Sequence, residues 1–405
     1  MSDKAEKPHE RITEIKRKAA EGPVILQHSF RPFFIAAGLW AAVAVPFWLL
    51  AYAGMLNFPE EFDALAWHRH EMLYGFAGAA IAGFILTAIP NWTGRLPVSG
   101  PRLGVLVALW FAGRTAFLIP DLLVPTAIAI IDLSFLTALS GVIFREIIAG
   151  KNWRNLPVLV LISAFTAGNW LVHLELLGIS DTAELGLRLS MYILAILVAV
   201  IGGRIVPSFT RNWLVREGAD VVPEPIGKFD TIALMALVVF VAAQIVMPDH
   251  PATPFLALLA AVLHAARLLR WKGWAILSEP LLWVMHLAYA WLVAALFLTG
   301  FSGLTDVIPA SSATHALTTG AFATMILAVM TRTSLGHTGR ALTATAGTTL
   351  IFVLITVSAG LRVASPFLDD ADLSLLWSSG LTWAAAFMLF AAIYIPILMR
   401  PRAKG

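Results

Sequence analysis

Apolar runs long enough to cross a bilayer recur along almost the whole chain, and that repetition admits one class of fold. They lie near 33–53, 71–90, 103–119, 124–144, 157–177, 187–206, 229–247, 254–270, 280–299, 312–331, 342–363 and 376–399. A helix needs about 20 apolar residues to span the hydrocarbon core. The runs are continuous and lack the period-two alternation of barrel strands. The expectation is an all-α, polytopic membrane protein with twelve transmembrane helices. Composition agrees: 59% of residues are hydrophobic and 13% charged, against about 25% charged in soluble chains. An ordinary soluble enzyme, a disordered chain and a nucleic-acid binder are excluded. The partner implied by the runs themselves is the lipid bilayer.

Three regions follow: a charged tail over 1–32, a transmembrane domain over 33–399, and a short tail over 400–405. The first tail has no apolar core, so it does not read as a cleavable signal peptide. Glu14 and Lys18 stand four apart there and favour a short surface helix. Taking twelve spans, 24 of the 28 basic residues fall on the side of the termini. Acidic residues such as Glu60, Glu61, Asp121, Asp181, Asp249 and Asp369 dominate the opposite loops. Basic loops stay in the cytoplasm, so both termini are expected to be cytoplasmic.

That topology assigns a depth to each histidine. His68 and His70 enter the second span from the outer side, His173 lies near the outer end of the fifth, and His315 opens the tenth. His28 precedes the first span on the inner side, and His337 follows the tenth. His264 and His286 lie on consecutive antiparallel spans, each about 9 Å from the inner boundary by helix rise. An outer and an inner layer of candidate metal ligands result. His315 and His337, about 33 Å apart along one straight helix, cannot share a metal. With no cysteine in the chain, disulfides, iron–sulfur clusters, thiolate-ligated or covalently attached haem and Cys-based zinc sites are out. Imidazole suits iron, copper and zinc. Residues i and i+2 on a helix point about 200° apart, so His68 and His70 offer one ligand to each of two cofactors. If the segment is a loop, both face one metal instead. Glu71 is the candidate catalytic carboxylate, either holding a ligand's second ring nitrogen or relaying a proton. Its alternative role is that of a helix N-terminal carboxylate. Glu175 and Asp132 are further candidate proton carriers.

Small residues on the second span (Gly75, Ala77, Gly78, Ala79, Ala80, Ala82, Gly83) and the tenth (Gly320, Ala321, Ala323) either make room for a flat cofactor or permit close helix packing. The second, sixth and tenth spans end alike, in AIPNWTGR (88–95), IVPSFTRNW (205–213) and AVMTRTSLGHTGR (328–340). Spaced four spans apart, these ends suggest three pseudo-repeated four-helix units. Arg332 and its counterparts stand there either as partners for cofactor carboxylates or as snorkelling and capping residues.

The same residues carry a resemblance. HSFRPFF (28–34), WHRHEMLYGFAGAAIAGFILTAIPNWTG (67–94), GGRIVPSFTRNW (202–213) and MTRTSLGHTGR (330–340) resemble the NnrS family of bacterial membrane proteins. The resemblance implies twelve transmembrane helices in the bacterial inner membrane, bound haem b and copper, and a role in nitric oxide response alongside denitrification. It carries His28, His68, His70 and His337 within its motifs, with His315 just ahead of the last. The haem–copper oxidase pattern is not reproduced, since there is no adjacent His pair and His-x-His lies on the second span.

Three readings of function remain at this point. The first is a haem-dependent protein that binds and detoxifies nitric oxide, with reduction at a haem or haem/copper site, as an oxidoreductase fed by an unknown electron donor. On that reading the outer set holds the haem, His70 and His315 foremost, and His264 and His286 form a second site with His28 and His337. The second is a non-catalytic sensor or metal-handling protein. The third is a secondary transporter whose sixth span breaks at Gly202-Gly203 before Pro207.

Overall fold

The computed structural model describes residues 22–56, 63–368 and 373–403. The expected surface helix around Glu14 and Lys18, and acidic residues including Glu60, Glu61 and Asp369, lie outside the described residues. Within them the chain is helical and contains no strand. Ten helices are long and apolar enough to cross a membrane. They are α1 (Phe30–Tyr52), α2 (Ala64–Thr93), α4 (Pro125–Ala149), α5 (Trp153–Leu176), α6 (Ala183–Arg216), α7 (Lys228–Val246), α9 (Pro280–Ser302), α10 (Ala310–His337), α11 (Ala346–Phe367) and α12 (Ser374–Met399). Two shorter helices, α3 (Pro101–Ala116) and α8 (Thr253–Leu269), stand where the third and eighth spans were expected. Each is shortened by prolines and charges at its ends, and each carries one arginine, Arg114 or Arg267, that is buried inside the bundle.

Three helices form the centre. α2, α6 and α10 touch one another, and the remaining helices pack around them. They are also the helices that contain a π-helical stretch among the described residues: Glu71–Ala77, Val198–Gly202 and Ala316–Ala323. A π-turn adds a residue to the helical repeat and leaves carbonyls short of their usual partner. Neighbouring side chains complete two of them. Trp110 of α3 donates through Nε1 to the Gly75 carbonyl at 2.9 Å, and Arg267 of α8 donates to the Ala199 carbonyl at 2.9 Å. The break expected at Gly202-Gly203 does not occur. α6 runs on through Pro207, with the π-turn placed just before it.

Gly75 and Gly83 on α2 and Gly320 on α10 serve close packing. A Cβ on Gly83 would lie 2.7 Å from the Phe34 ring, and one on Gly320 would lie 2.7 Å from the Trp291 ring. On Gly75 it would meet Arg114, Glu71 and Trp40 within 2.8 Å. The slots expected to admit a porphyrin at these glycines are therefore filled by the protein itself. Open space occurs elsewhere, in a partly open apolar pocket between α2, α6 and α10, with Phe34 of α1 at its side. Ala77, Ala80, Phe84, Gly202, Phe322 and Met325 are among its lining residues, and no histidine is.

Candidate metal centre

α2 starts at Ala64, so His68 and His70 both lie on a helix, one turn inside its first residue. Asp63 caps that start by accepting from the Ala66 N–H at 3.0 Å. The two imidazoles leave the helix on different sides, as an i, i+2 pair must.

On one side, His70 meets His173 of α5 and Asp132 of α4, all buried. One ligand atom from each of these three residues lies within 4.8 Å of the others, close enough to hold a metal ion. His173 donates through Nε2 to Asp132 Oδ2 at 2.9 Å, and His70 Nε2 stands 3.3 Å from the same oxygen. Asn169 donates to that carboxylate at 2.8 Å and turns its own Oδ1 to His70 Nε2 at 3.1 Å. The other ring nitrogen of His70 faces Glu71 Oε1 at 3.1 Å. A carboxylate behind a ligating histidine fixes the ring and raises its basicity, and Glu71 stands in that position. His173 Nδ1 is buried without a hydrogen-bond partner among the described residues.

Two carboxylates in a bundle core need a counter-charge. Arg114 of α3 supplies it, donating to both Glu71 oxygens at 2.7 Å and to Asp132 Oδ1. All three side chains are within a few per cent of full burial. Gly75 leaves the space for the guanidinium. The π-turn of α2 begins at Glu71 and sets the spacing of Glu71 to Gly75.

On the other side of α2, His68 stacks on Trp48 of α1 with ring centroids 4.0 Å apart, and its Nδ1 is buried without a partner among the described residues. His68 and His315 of α10 lie within electrostatic range of one another and of Arg362 of α11. His315 Nδ1 donates to the Ser311 carbonyl at 2.7 Å. That bond assigns the ring proton to Nδ1 and leaves Nε2 as a lone-pair nitrogen able to ligate a metal. His315 opens directly onto the π-turn of α10, as His68 and His70 open onto that of α2. The expected outer set of four is thus two separate pairs.

Phe117 stacks on the His70 ring at 4.1 Å and Tyr74 lies at 4.9 Å. The half-buried His68 and His315 have the Arg362 cation as an electrostatic neighbour.

The inner histidines also divide. His264 accepts at Nδ1 from the Tyr289 hydroxyl at 2.6 Å and donates from Nε2 to the Ala233 carbonyl at 3.0 Å. Arg267 can only donate, and it reaches the same hydroxyl at 2.9 Å, which fixes the direction of the first bond. Both nitrogens of His264 are therefore engaged. His286 donates through Nδ1 to the Leu282 carbonyl of its own helix at 3.1 Å, and its Nε2 stands 3.5 Å from Thr210. Trp271 and Tyr289 lie between the two rings, so the structure does not bring His264 and His286 together. His28 and His337 meet elsewhere, around Phe30 at the end of the bundle that carries both termini. Arg332 lies over the Phe209 ring at 4.2 Å, joining the C-terminal parts of α10 and α6. Glu175 accepts from the Ala183 N–H at 2.7 Å and holds the α5–α6 turn. It does not touch the metal cluster.

The sequence reading missed Arg114 and Asn169, and it gave Asp132 only a proton-carrying role. A signal existed, since Arg114 and Asp132 are ionisable residues inside apolar runs. No curated protein matches the chain. A family model described as NnrS protein matches residues 24–402, nearly its whole length, and the chain belongs to the NnrS protein family.

Proposed function

We propose that this chain holds a metal ion and a haem b on opposite sides of α2 and binds nitric oxide there, as a nitric oxide response protein of the bacterial inner membrane. The observation that carries the reading is the fan of His68 and His70 toward two different histidine partners. His70, His173 and Asp132 would hold copper, with Glu71 orienting His70 and Arg114 balancing the carboxylates. His68 and His315 would hold the haem iron, with Arg362 placed to meet a propionate. The bound metals supply a coordination position at which nitric oxide binds. Nitric oxide is small, apolar and soluble in the bilayer, and the pocket between α2, α6 and α10 gives it an apolar place to collect. Glu71 and Asp132 are the carboxylates in reach of the metal should nitric oxide be reduced rather than only bound.

The topology belongs to the same proposal. α3 and α8 are 16 and 17 residues long, about 24–26 Å by helix rise, close to the thinner biological bilayers. Their arginines are neutralised inside the bundle. We read both as crossing, which makes three four-helix units around α2, α6 and α10 and puts both termini in the cytoplasm. A cytoplasmic reporter fused after Gly405 should be active, and activity of a periplasmic reporter alone would overturn this.

The functional experiment is metal and haem analysis of the purified protein with an absorption spectrum before and after nitric oxide. The expected result is a Soret band that shifts with nitric oxide and is lost in His68→Ala and His315→Ala. Asp132→Asn should lose copper and keep the band. A colourless, copper-free protein would overturn the reading and favour a transporter.

A further inference from the structure

The end of the bundle where the described chain begins and ends contains a group of cationic side chains that the proposed metal sites do not use. It assembles from the first and last sequence motifs, HSFRPFF and MTRTSLGHTGR. Phe30 is its hub. His28 stacks on that ring at 5.8 Å, His337 lies tilted to it at 5.5 Å, and the Arg31 guanidinium carbon is 5.5 Å from its centroid. Arg340 is an electrostatic neighbour of Arg31, and Arg402 is one of both His28 and His337. The chain beyond α12 is tied down beside them, with the Ala403 N–H donating to the Thr338 carbonyl at 2.9 Å.

Several other basic residues have carboxylate partners. Arg95 and Arg145 share Glu146, and Arg270 meets Glu224. Among the described residues, none of His28, Arg31, His337, Arg340 and Arg402 pairs with an acid. Arg31 is 1% exposed. Its Nη1 donates to the carbonyls of Arg400, at 2.7 Å, and Leu398, but its Nε has no partner. A buried guanidinium leaving a donor unused is costly. Helix α1 also starts here, and Ser29 gives it no side-chain cap, so its partial positive charge adds to the same place. His28 itself is held below the usual histidine range, by partial burial first and then by Arg31, His337 and Arg402.

We propose that this cluster is an anion site built for a phosphate group. Neighbouring guanidinium groups match the geometry and charge of phosphate better than those of a halide. Arg31 forms the floor, Arg340 is half-buried, and His28, His337 and Arg402 form an exposed rim. A phosphate can arrive there from a lipid headgroup or from a soluble phosphate ester. A metal cation would be repelled by the three arginines, so His28 and His337 serve the anion and not a copper site.

The test uses full-length protein in nanodiscs, reading the thermal unfolding midpoint. Arms contain phosphatidylcholine alone, phosphatidylcholine with increasing phosphatidylglycerol, and phosphatidylcholine with increasing inorganic phosphate. Stabilisation by phosphatidylglycerol alone identifies a lipid headgroup, and stabilisation by inorganic phosphate identifies a soluble one. The rim variant Arg340→Gln/Arg402→Gln spares the Arg31 tie to α12. It should need about tenfold more anion for the same shift, the loss expected for removed charge-assisted bonds. Arg154→Gln, a basic residue away from Phe30, should respond as the wild type does. No stabilisation in either arm, or an equal response of the wild type and the rim variant, or an equal weakening by Arg154→Gln, overturns the proposal.

Discussion

Two buried regions are built from the same kinds of residue. At α2–α5, His70 stands with Arg114, Asp132 and Tyr74. At α7–α9, His264 stands with Arg267, Asp230 and Tyr289. Each arginine bonds a buried aspartate, to Asp132 in one and to Asp230 Oδ1 at 2.8 Å in the other, and each reaches the π-turn of a central helix. In each, a glycine leaves space for the guanidinium, Gly75 for Arg114 and Gly203 for Arg267. They differ in what is left over. Around Arg267, Nε and Nη1 bond Asp230, the Ala199 carbonyl and Tyr289, and both nitrogens of His264 are satisfied by the protein. Around Arg114 there is a second carboxylate and a second histidine, and Arg114 Nε and His173 Nδ1 have no partner among the described residues. Ligand atoms of His70, Asp132 and His173 grouped within 4.8 Å suit a cation, whereas a histidine with both nitrogens engaged marks a helix clamp. A histidine inside a membrane is thus a weak signal until its partners are counted.

The largest effects test that both regions depend on their arginine. Arg114→Ala and Arg267→Ala each leave buried carboxylate uncompensated and should cost about 3–5 kcal/mol, read as a lower thermal unfolding midpoint. Only Arg114→Ala should also change metal affinity, and a change in both would erase the distinction. Glu71→Gln comes next. It keeps the shape of the outer site but weakens the orientation of His70, and metal affinity should fall about 10–100-fold. Unchanged affinity by competition titration would remove Glu71 from the site. Tyr289→Phe should cost about 1–2 kcal/mol by leaving His264 Nδ1 without its donor, with metal and haem content unchanged. The smallest effect is one of pH. The folded pKa of His28 lies below its unfolded value, so the unfolded chain binds more protons as pH falls below about 6.5. Stability should fall over that range, and His28→Gln should flatten the dependence. A wild-type slope kept in the variant would assign it elsewhere.

Part of this was legible in the sequence. Continuous apolar runs dictate a helical membrane protein, and the i, i+2 spacing of His68 and His70 already separates them to two sides of a helix. The echo among the ends of the second, sixth and tenth spans picked out α2, α6 and α10, the helices that form the centre. Their π-turns were not legible, since no residue pattern marks them, and they lie at different distances from their helix starts. Which of several buried polar residues meet depends on helix rotation, so the partnership of Asp132 with His173 and the clamp around His264 needed coordinates. One clue was available. Of the 28 basic residues, four break the bias toward the terminal side: Arg69, Arg114, Arg188 and Arg362. Arg114 and Arg362 stand beside the two histidine pairs. An arginine on the disfavoured side of a membrane is retained where something there requires it.

A metal ion bound around Arg114 and none around Arg267 is tested by elemental analysis of purified His70→Ala/His173→Ala beside His264→Ala/His286→Ala. Copper should be lost from the first variant and stay at the wild-type level in the second. Copper retained in the first, or lost only from the second, would overturn the assignment.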